Sequence, residues 1–371
     1  MIEDPGNDAP PGDGAKQPAR AARGHGARIK LADVAREAGV STASVSRVLN
    51  NNTRVNADIR TRVANAVSRL GYTPNSAARA LASQRFRKVG AIVPTLENPA
   101  FASAVEALQQ RLSRNGYAVI IASSDYNPEL ELMQARMLGS VGVDAVMLIG
   151  ADHLPELYAY LEDSHLKFVN AWVADRTSGY PSVGFDNRAA AARLTRYLIE
   201  LGHREFAVIS GIRKGNDRAT ERVAGVAQAL ERAGLKLPPE RVLEAPYKFF
   251  ESQMALRSLM ASETPPTAIV CGNDLQAFGA LIECQSLGIA VPGTVSIAGF
   301  DDLDFAAHIT PPLTTMQIPV AEIGARAGEY LLARIQDRPT LHITEVNVNL
   351  VVRASTGPPP RAGNRKSKHP E

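Results

Sequence analysis

Apolar residues recur at helical spacing in three short segments near the start of the chain, at 31–38, 41–49 and 56–70. Ser41 and Asn56 belong to the residue types that cap helix N-termini, so they mark the starts of the second and third segments. Two short helices joined by a tight glycine turn, with a third closing the core, predict a helix-turn-helix. A helix-turn-helix is a motif that binds DNA. A small three-helix bundle that does not bind DNA is the alternative interpretation.

The pattern changes after Lys88, where short apolar runs alternate with helical stretches. The apolar runs predict strands at 89–94, 117–124, 145–150, 168–172, 205–211, 268–274 and 295–302. Between them, helical patterns occupy 100–115, 128–140, 187–201, 219–233 and 275–287. This alternation predicts an α/β fold of doubly wound parallel sheets, and the number of strands fits two lobes with a cleft at the carboxyl ends of the strands.

The two chain ends have compositions typical of disordered tails. Residues 1–28 are rich in Pro, Gly, Ala and charged residues, and they lack the apolar run of a signal peptide. Residues 357–371 carry no leucine heptad, so a helical bundle that joins several chains is not expected there. No uninterrupted apolar stretch reaches about eighteen residues, so no membrane span is predicted. Cys271 and Cys284 lack metal-ligand spacing and are expected to be reduced, buried thiols, which favours a cytoplasmic location.

Basic residues are concentrated near the N-terminus, although the formal net charge of the whole chain is only +3. Between Lys16 and Lys88 the sequence has fifteen Lys or Arg residues and three acidic ones, a segment charge of +12 that leaves −9 elsewhere. A basic module on an acidic body is typical of a protein whose N-terminal part binds a polyanion. A solvated basic face would give the same composition, so charge supports DNA binding only in part.

Specific motifs strengthen this interpretation. The N-terminal segment contains DVA (33–35), AGVS (38–41), SVSRVLN (44–50), YTPN (72–75) and ALA (80–82). Together these motifs resemble the headpiece of the lactose-repressor (LacI/GalR) family of transcription regulators. The resemblance implies a helix-turn-helix headpiece at 29–74, a hinge helix and linker at 75–87, and a two-lobed, periplasmic-binding-protein-like core at 88–356 that binds an effector and forms a homodimer.

In a headpiece of this kind the second helix enters the major groove of double-stranded DNA and its N-terminal residues meet base edges. The resemblance therefore assigns base contacts to Thr42, Ala43 and Arg47, of which Arg47 can grip O6 and N7 of a guanine. Phosphate contacts, which position a protein without reading sequence, are assigned to Ser41, Ser44, Ser46 and Asn50. Helix capping is the alternative role for each serine.

The resemblance also assigns roles in the hinge. Leu81 matches the family's leucine wedge, which enters the minor groove and kinks the central base step, and Ala78 matches the small residue where two hinge helices pack. Asn75 and Arg79 are expected to neutralise nearby DNA backbone. The implied operator is a pseudo-palindrome with a central C-G step, bound by a homodimer. An ordinary core leucine is the alternative interpretation of Leu81.

The core carries further family landmarks, namely ERVAG (221–225), AIVCGND (268–274), VSIAGFDD (295–302) and PPLTT (311–315). By position, Arg222, Asn273 and Asp301 match the polar triad that grips hydroxyl or amide groups of the effector. Phe101, Trp172 and Phe249 are expected to form aromatic walls, with Ser123 and Lys248 as further pocket residues. Lobe-bridging salt bridges and turn caps are the alternative roles of the triad. The chain departs from the family pattern at Ala100, where a second aromatic residue is usual.

The resulting hypothesis is a sequence-specific DNA-binding regulator, expected to be a repressor, whose operator affinity is controlled by a small polar effector, a sugar or sugar derivative. A ligand-independent regulator, a nucleobase-responsive regulator and a solute-binding receptor of a transport system are the alternatives. The sequence has no GxSxG, P-loop or HExxH motif, and its seven histidines show no metal spacing. Neither an enzymatic activity nor a metal or other cofactor is therefore expected.

Overall fold

The computed structural model describes residues 29–49, 55–73 and 85–361. The chain divides into two compact units between Ala82 and Ser83, and each unit is described by itself below. None of the helices in the described ranges is long and apolar enough to cross a membrane.

The N-terminal unit is built from three helices, α1 (Leu31–Ala38), α2 (Thr42–Leu49) and α3 (Ala57–Leu70). The first helix ends at Gly39, which adopts a φ of +61° and so makes the tight turn into α2 without the strain that a side chain would bring. The core of this unit consists of small and β-branched residues, namely Val34, Ala35, Ala38, Val45, Val63 and Ala66. The predicted helix-turn-helix is confirmed.

The first lobe of the second unit contains a six-stranded parallel sheet in the order β11-β5-β4-β3-β1-β2. Its strands are β1 (Lys88–Val93), β2 (Ala118–Ser123), β3 (Ala145–Ile149), β4 (Lys167–Ala171), β5 (Ser182–Gly184) and β11 (Ile343–Glu345). Its helices are α4 (Pro99–Ser113), α5 (Pro128–Val141), α6 (Pro155–Asp163) and α11 (Val320–Ile335). The central strands are mainly apolar because helices cover both faces of the sheet.

The second lobe has a six-stranded sheet in the order β12-β10-β9-β8-β6-β7, in which only β12 is antiparallel to its neighbour. Its strands are β6 (Phe206–Ser210), β7 (Val242–Glu244), β8 (Ala268–Cys271), β9 (Ser296–Asp301), β10 (Thr314–Gln317) and β12 (Asn349–Val351). The helices are α7 (Asn187–Glu200), α8 (Asp217–Arg232), α9 (Phe249–Met260) and α10 (Asp274–Ser286), with short 3-10 turns at Pro239–Arg241 and Asp304–Ala307.

The chain passes between the lobes three times, after β5, after β10 and after β11. The predicted α/β class with two doubly wound, mainly parallel sheets is confirmed. The structure adds helices α6, α9 and α11 and five strands of three or four residues each, β5, β7, β10, β11 and β12, to the elements that the pattern predicts. Such strands are too short to show a period of their own, so only their pairing in the sheet reveals them.

Candidate functional site

The N-terminal end of α2 presents most of the predicted DNA contacts at the surface. The exposed members are Ser41, Thr42, Ala43 and Arg47, while Ser44 and Ser46 are half-buried. The Ser41 hydroxyl accepts a hydrogen bond from the Ser44 backbone N–H at 3.1 Å, so Ser41 caps the helix and also lies at its positive end. Within the described residues Arg47 forms no ion pair, which leaves its guanidinium available to a base.

Five of the predicted DNA contacts, Asn50, Asn75, Ala78, Arg79 and Leu81, lie outside the described residues. Their assignments to phosphates and to the minor groove stay predictions.

A small pocket lies between the two lobes at the carboxyl ends of the strands, the place where open α/β sheets bind ligands. We name it the interlobe pocket, and its lining residues are Asn98, Phe101, Tyr126, Trp172, Arg218, Arg222, Tyr247, Asn273 and Asp301. Five of the eight predicted effector residues are thus brought together, namely the triad and two aromatic residues. The two lobes contact each other around the pocket, and its free volume is only about 20 Å³.

Arg222 is held rigidly on α8 by contacts on three sides. Its Nε donates to Asn187 Oδ1 at 2.9 Å, its Nη1 donates to the carbonyl of Gly272, and its guanidinium carbon lies 4.5 Å from the centre of the Phe300 ring. Burial lowers the pKa of Arg222, and the nearby charge of Asp301 acts in the opposite direction. A guanidinium fixed in this way presents its remaining N–H groups to the pocket with little freedom left to lose.

Asp301 ends β9 and is 6% exposed. Burial raises its pKa to about 6, while Arg222 and a side-chain hydrogen bond from Asn98 oppose the shift. Asn98 belongs to the first lobe and also caps α4 by accepting the Ala100 N–H at 3.0 Å. The carboxyl group of Asp301 therefore stands at the junction of the lobes, where a proton or a ligand hydroxyl can change its interactions.

Three pocket residues have strained backbones. Tyr126 has a φ of +56°, Trp172 a φ of +68° and Asp301 a φ of +114°, in a region that residues with a side chain rarely adopt. Conformations of this kind cost roughly 1–3 kcal/mol each and concentrate at functional sites. The Trp172 ring packs edge-on against Phe101 at 5.1 Å, and its carbonyl accepts a hydrogen bond from Asn187 of the second lobe at 2.9 Å.

Asn273 lines the pocket and is also the cap of α10, because its Oδ1 accepts the Gln276 N–H at 2.9 Å. The Asn273 oxygen therefore has the capping role that the sequence offered as the alternative to ligand binding. Its amide nitrogen makes no hydrogen bond within the described residues, and it is the group that remains for a ligand.

A second set of contacts joins the lobes beside the pocket. Asp217 Oδ2 accepts the Ala151 N–H at 2.7 Å, and Arg218 Nη1 donates both to the Ile149 carbonyl and to Asp217 Oδ1 at 2.9 Å. Gly150, with a φ of +94°, lies so close that a Cβ there would collide with Arg218 and Asp217. We name these contacts of residues 149–151 with Asp217 and Arg218 the interlobe bridge.

Three predicted effector residues lie outside the interlobe pocket. Ser123 is exposed, because alternate residues of a strand face opposite sides of the sheet. Its hydroxyl donates a hydrogen bond to the Pro94 carbonyl at 3.0 Å. Lys248 is exposed at the start of α9. Phe249 is 48% exposed and lines a separate cavity of about 510 Å³, which adjoins the pocket at Asp301.

The structure adds four pocket residues that the sequence reasoning missed, namely Asn98, Tyr126, Arg218 and Tyr247. Arg218 could have been found, since it precedes Arg222 by one helical turn and shares its face of α8. The rings of Tyr126 and Tyr247 meet across the pocket at 5.4 Å. They are far apart in the chain, so no local pattern pairs them.

Comparison with known proteins supports this architecture. Residues 30–75 match the bacterial regulatory proteins of the lacI family, and residues 195–356 match the periplasmic binding protein-like domain. The HTH-type transcriptional repressor PurR of Pectobacterium carotovorum is 32% identical over 91% of this chain and 99% of its own. Catabolite control protein A of Priestia megaterium is 33% identical over 84% and 94% of the two chains.

Solved structures agree with these similarities. The lac repressor dimer bound to operator and the anti-inducer ONPF superposes with a TM-score of 0.80 and 25% identity, over 89% of this chain and all of the other. The transcriptional regulator CelR–cellobiose complex gives 0.66 and 27%, over 88% and 100%. The relatives are regulators rather than enzymes, in agreement with the prediction. With a helix-turn-helix, a two-lobed core and above 30% identity along nearly the whole of PurR, the chain belongs to the lacI family of DNA-binding bacterial regulatory proteins.

Proposed function

We propose that this protein is a cytoplasmic transcription repressor that binds a pseudo-palindromic operator as a homodimer and changes its operator affinity when a small polar effector occupies the interlobe pocket. The observation that carries the proposal is the convergence of Arg222, Asn273 and Asp301 between the two lobes. The same chain has a helix-turn-helix in which the N-terminal end of α2 is exposed. The two sites would be linked through lobe closure, since an effector that prefers one lobe arrangement changes its population.

The chemistry of the pocket favours a carbohydrate effector. Arg222 offers a fork of donors, the Asn273 amide a donor, and Asp301 acceptors, a set that suits adjacent hydroxyl groups. Phe101 and Trp172 supply the aromatic faces on which a sugar ring stacks. A nucleobase is the second candidate, because the four aromatic residues of the pocket would also sandwich a planar ring.

A thermal-shift screen of the full chain separates these candidates. The panel contains neutral sugars, phosphosugars, polyols, nucleobases and nucleosides. A ligand at 100 times its dissociation constant adds about 2.7 kcal/mol to the free energy of unfolding, a clear shift. A neutral sugar whose effect disappears in Asp301→Ala and Arg222→Ala supports the carbohydrate proposal, whereas a purine hit with the same dependence moves the protein to the second candidate. A panel without any hit favours a ligand-independent regulator.

The operator proposal is tested at Arg47. Selection of bound fragments from a random duplex library should return a pseudo-palindrome, and Arg47→Ala should lose about 1–3 kcal/mol of discrimination at one base pair in each half-site. The control is Arg69→Ala, which removes another exposed headpiece arginine, one that pairs with Glu37. Ligand binding without any selected operator would instead favour the solute-receptor alternative.

The proposed homodimer has a candidate surface on the first lobe. Met133, Met137 and Val141 follow one another at four-residue intervals on α5 and are 58%, 40% and 46% exposed. Ile121 on the neighbouring edge strand β2 is 42% exposed. We name these four residues the apolar strip. Apolar residues exposed together along one edge of a lobe are typical of a protein–protein interface, and a second copy of the chain would cover them.

A further inference from the structure

Two buried arginines line the interlobe pocket from one face of α8. Arg218 and Arg222 lie one helical turn apart, and they are only 7% and 8% exposed. Burial lowers the pKa of Arg222, and the positive charge of Arg218 lowers it further. Holding two guanidinium groups away from bulk water is costly unless negative charge lies close to them.

Arg222 has no charged partner at hydrogen-bonding distance. Within the described residues its guanidinium forms no ion pair, and its hydrogen bonds go to the neutral Asn187 amide oxygen and Gly272 carbonyl. Against the effect of burial, the charge of Asp301 raises the pKa of Arg222 without forming an ion pair with it. Burial also raises the pKa of Asp301 to about 6, which disfavours its charged form. The pocket therefore contains a buried cation that the described part of the chain does not pair.

Arg218 is paired with Asp217, but that carboxylate is fully used. Asp217 Oδ1 accepts hydrogen bonds from the Arg218 backbone N–H at 2.8 Å and from its Nη1 at 2.9 Å, and Oδ2 accepts the Ala151 N–H at 2.7 Å. Glu131 and Asp152, which line the neighbouring small cavity together with Arg218, form no ion pair with it in the described ranges. Asp217 therefore serves the interlobe bridge and leaves nothing for the second arginine.

The two guanidinium groups keep donors for a ligand. Nη2 of Arg222 and both Nε and Nη2 of Arg218 make no hydrogen bond to any residue that the structure describes. Guanidinium N–H groups pair as a fork with the oxygens of a carboxylate or a phosphate, and such charge-assisted hydrogen bonds are about twice as strong as neutral ones. Asn273 and Asp301 remain on the other elements of the pocket for hydroxyl groups.

We propose that the effector is a polyhydroxy acid, whose carboxylate or phosphate group binds between Arg218 and Arg222 while its hydroxyl groups contact Asn273 and Asp301. This inference rests on the proposed function, since it names the chemical class of the effector for the same pocket. The acidic group supplies the negative charge that Arg222 needs. A neutral sugar satisfies the same hydrogen bonds but leaves this buried charge unpaired.

Trp172 reports binding directly, because it is the only tryptophan of the chain, lines the interlobe pocket and is 2% exposed. Its fluorescence in the full chain is titrated with sets of compounds that share a carbon skeleton. Each set contains a hexose, its alditol, its aldonate, its uronate and its 6-phosphate, in the glucose, galactose and mannose series. We expect one acid to bind at least about tenfold more tightly than the neutral compounds of its set. Its identity distinguishes a carboxylate from a phosphate.

A variant of Arg218 separates pairing with an anion from general support of the pocket. Arg218→Gln keeps a polar side chain but removes the charge, so the ratio of the affinities for the acid and for its neutral counterpart should fall by about tenfold or more. A purely structural role would lower both affinities and keep their ratio. The control is Arg213→Gln, which changes an arginine that is 43% exposed and pairs with Glu244, and it should leave the ratio unchanged.

The proposal is overturned if a neutral compound binds as tightly as the acids of its set, or if Arg218→Gln keeps the wild-type ratio. Should Arg218→Gln fail to fold by circular dichroism, the comparison of acids with neutral compounds in the wild-type protein decides alone. A neutral sugar whose binding depends on Asp301 defeats only this inference and supports the proposed function. A panel without any binding compound contradicts both this inference and the proposed effector site.

Discussion

Replacing Asp217 with asparagine should open the lobes without unfolding either one. The Asp217 carboxylate accepts hydrogen bonds from the Ala151 N–H at 2.7 Å with one oxygen and from the Arg218 backbone and guanidinium at 2.8 and 2.9 Å with the other. Asparagine has nearly the same shape but only one acceptor oxygen. Its NH₂ group must therefore face a donor, either at Ala151 or at Arg218.

The size of the effect follows from the lost contact. A hydrogen bond to a charged group contributes about 1.5–3 kcal/mol, so we expect the closed arrangement to lose about 2 kcal/mol. This corresponds to an increase of about 30-fold in the open-to-closed ratio. The free energy of unfolding should change less, because opening lets water reach Arg218 and Ala151, which avoids the full cost of burying them without a partner.

The assay is acrylamide quenching of Trp172, with the effector affinity measured in parallel. The matched control is Glu221→Gln on the same helix, where an equally short ion pair with Arg188 lies within the second lobe and is nearly half exposed. Exposed pairs contribute about 0.2–1 kcal/mol, so this control should leave quenching unchanged. If Asp217→Asn leaves quenching unchanged, or if both variants increase it equally, the interlobe bridge does not determine closure.

Three further predictions follow from other contacts. Burial raises the Asp301 pKa from 3.8 to about 6, so the free energy of unfolding falls as the pH rises through this window. Asp301→Asn should remove a loss of about 2 kcal/mol in melting curves from pH 4 to pH 7; an unchanged pH slope would contradict the assignment. Burial lowers the pKa of His203, whose Nδ1 lies 2.9 Å from Thr267 Oγ1. The contribution of the neutral imidazole to the free energy of unfolding is therefore lost as the pH falls below about 6.5. In His203→Gln the melting temperature should decrease less on acidification than in the wild type. Met137→Glu places a charge in the apolar strip and should weaken self-association by about tenfold or more in sedimentation experiments. The control is Leu341→Glu, at a residue that is 75% exposed, which should leave self-association unchanged. Equal behaviour of the two variants would exclude the apolar strip as the dimer surface.

Local chemistry made much of this protein predictable. Gly39 ends α1 and Asn56 caps α3 because these residue types satisfy the backbone of a helix end wherever it lies. The buried strands were predictable because parallel strands covered on both faces must be apolar throughout. Arg222, Asn273 and Asp301 were assigned to one pocket by their positions in the family motifs, and the structure does bring the three side chains together.

Register errors show where local reasoning ends. Ser123 was expected in the pocket, but it is exposed, while the next residue, Ser124, is buried and lines the neighbouring cavity. A shift of one residue along a strand reverses the face, and the sequence there offers two serines with nothing to choose between them. Near the start of α9, the aromatic residue that lines the interlobe pocket is Tyr247, whereas Phe249 lines the neighbouring cavity.

By itself the sequence determined the helix-turn-helix and the α/β class with two sheets, because periodicity and capping act over a few residues. The polar triad was predictable only through the resemblance of its motifs to those of a known family. Tertiary structure alone decided which loops meet across the lobes. It placed Tyr126 against Tyr247, Asp217 against Ala151, and His153 between Glu131 and Gly150. These contacts join residues that are distant in the chain, and they form only because three crossings bring two independently wound sheets face to face.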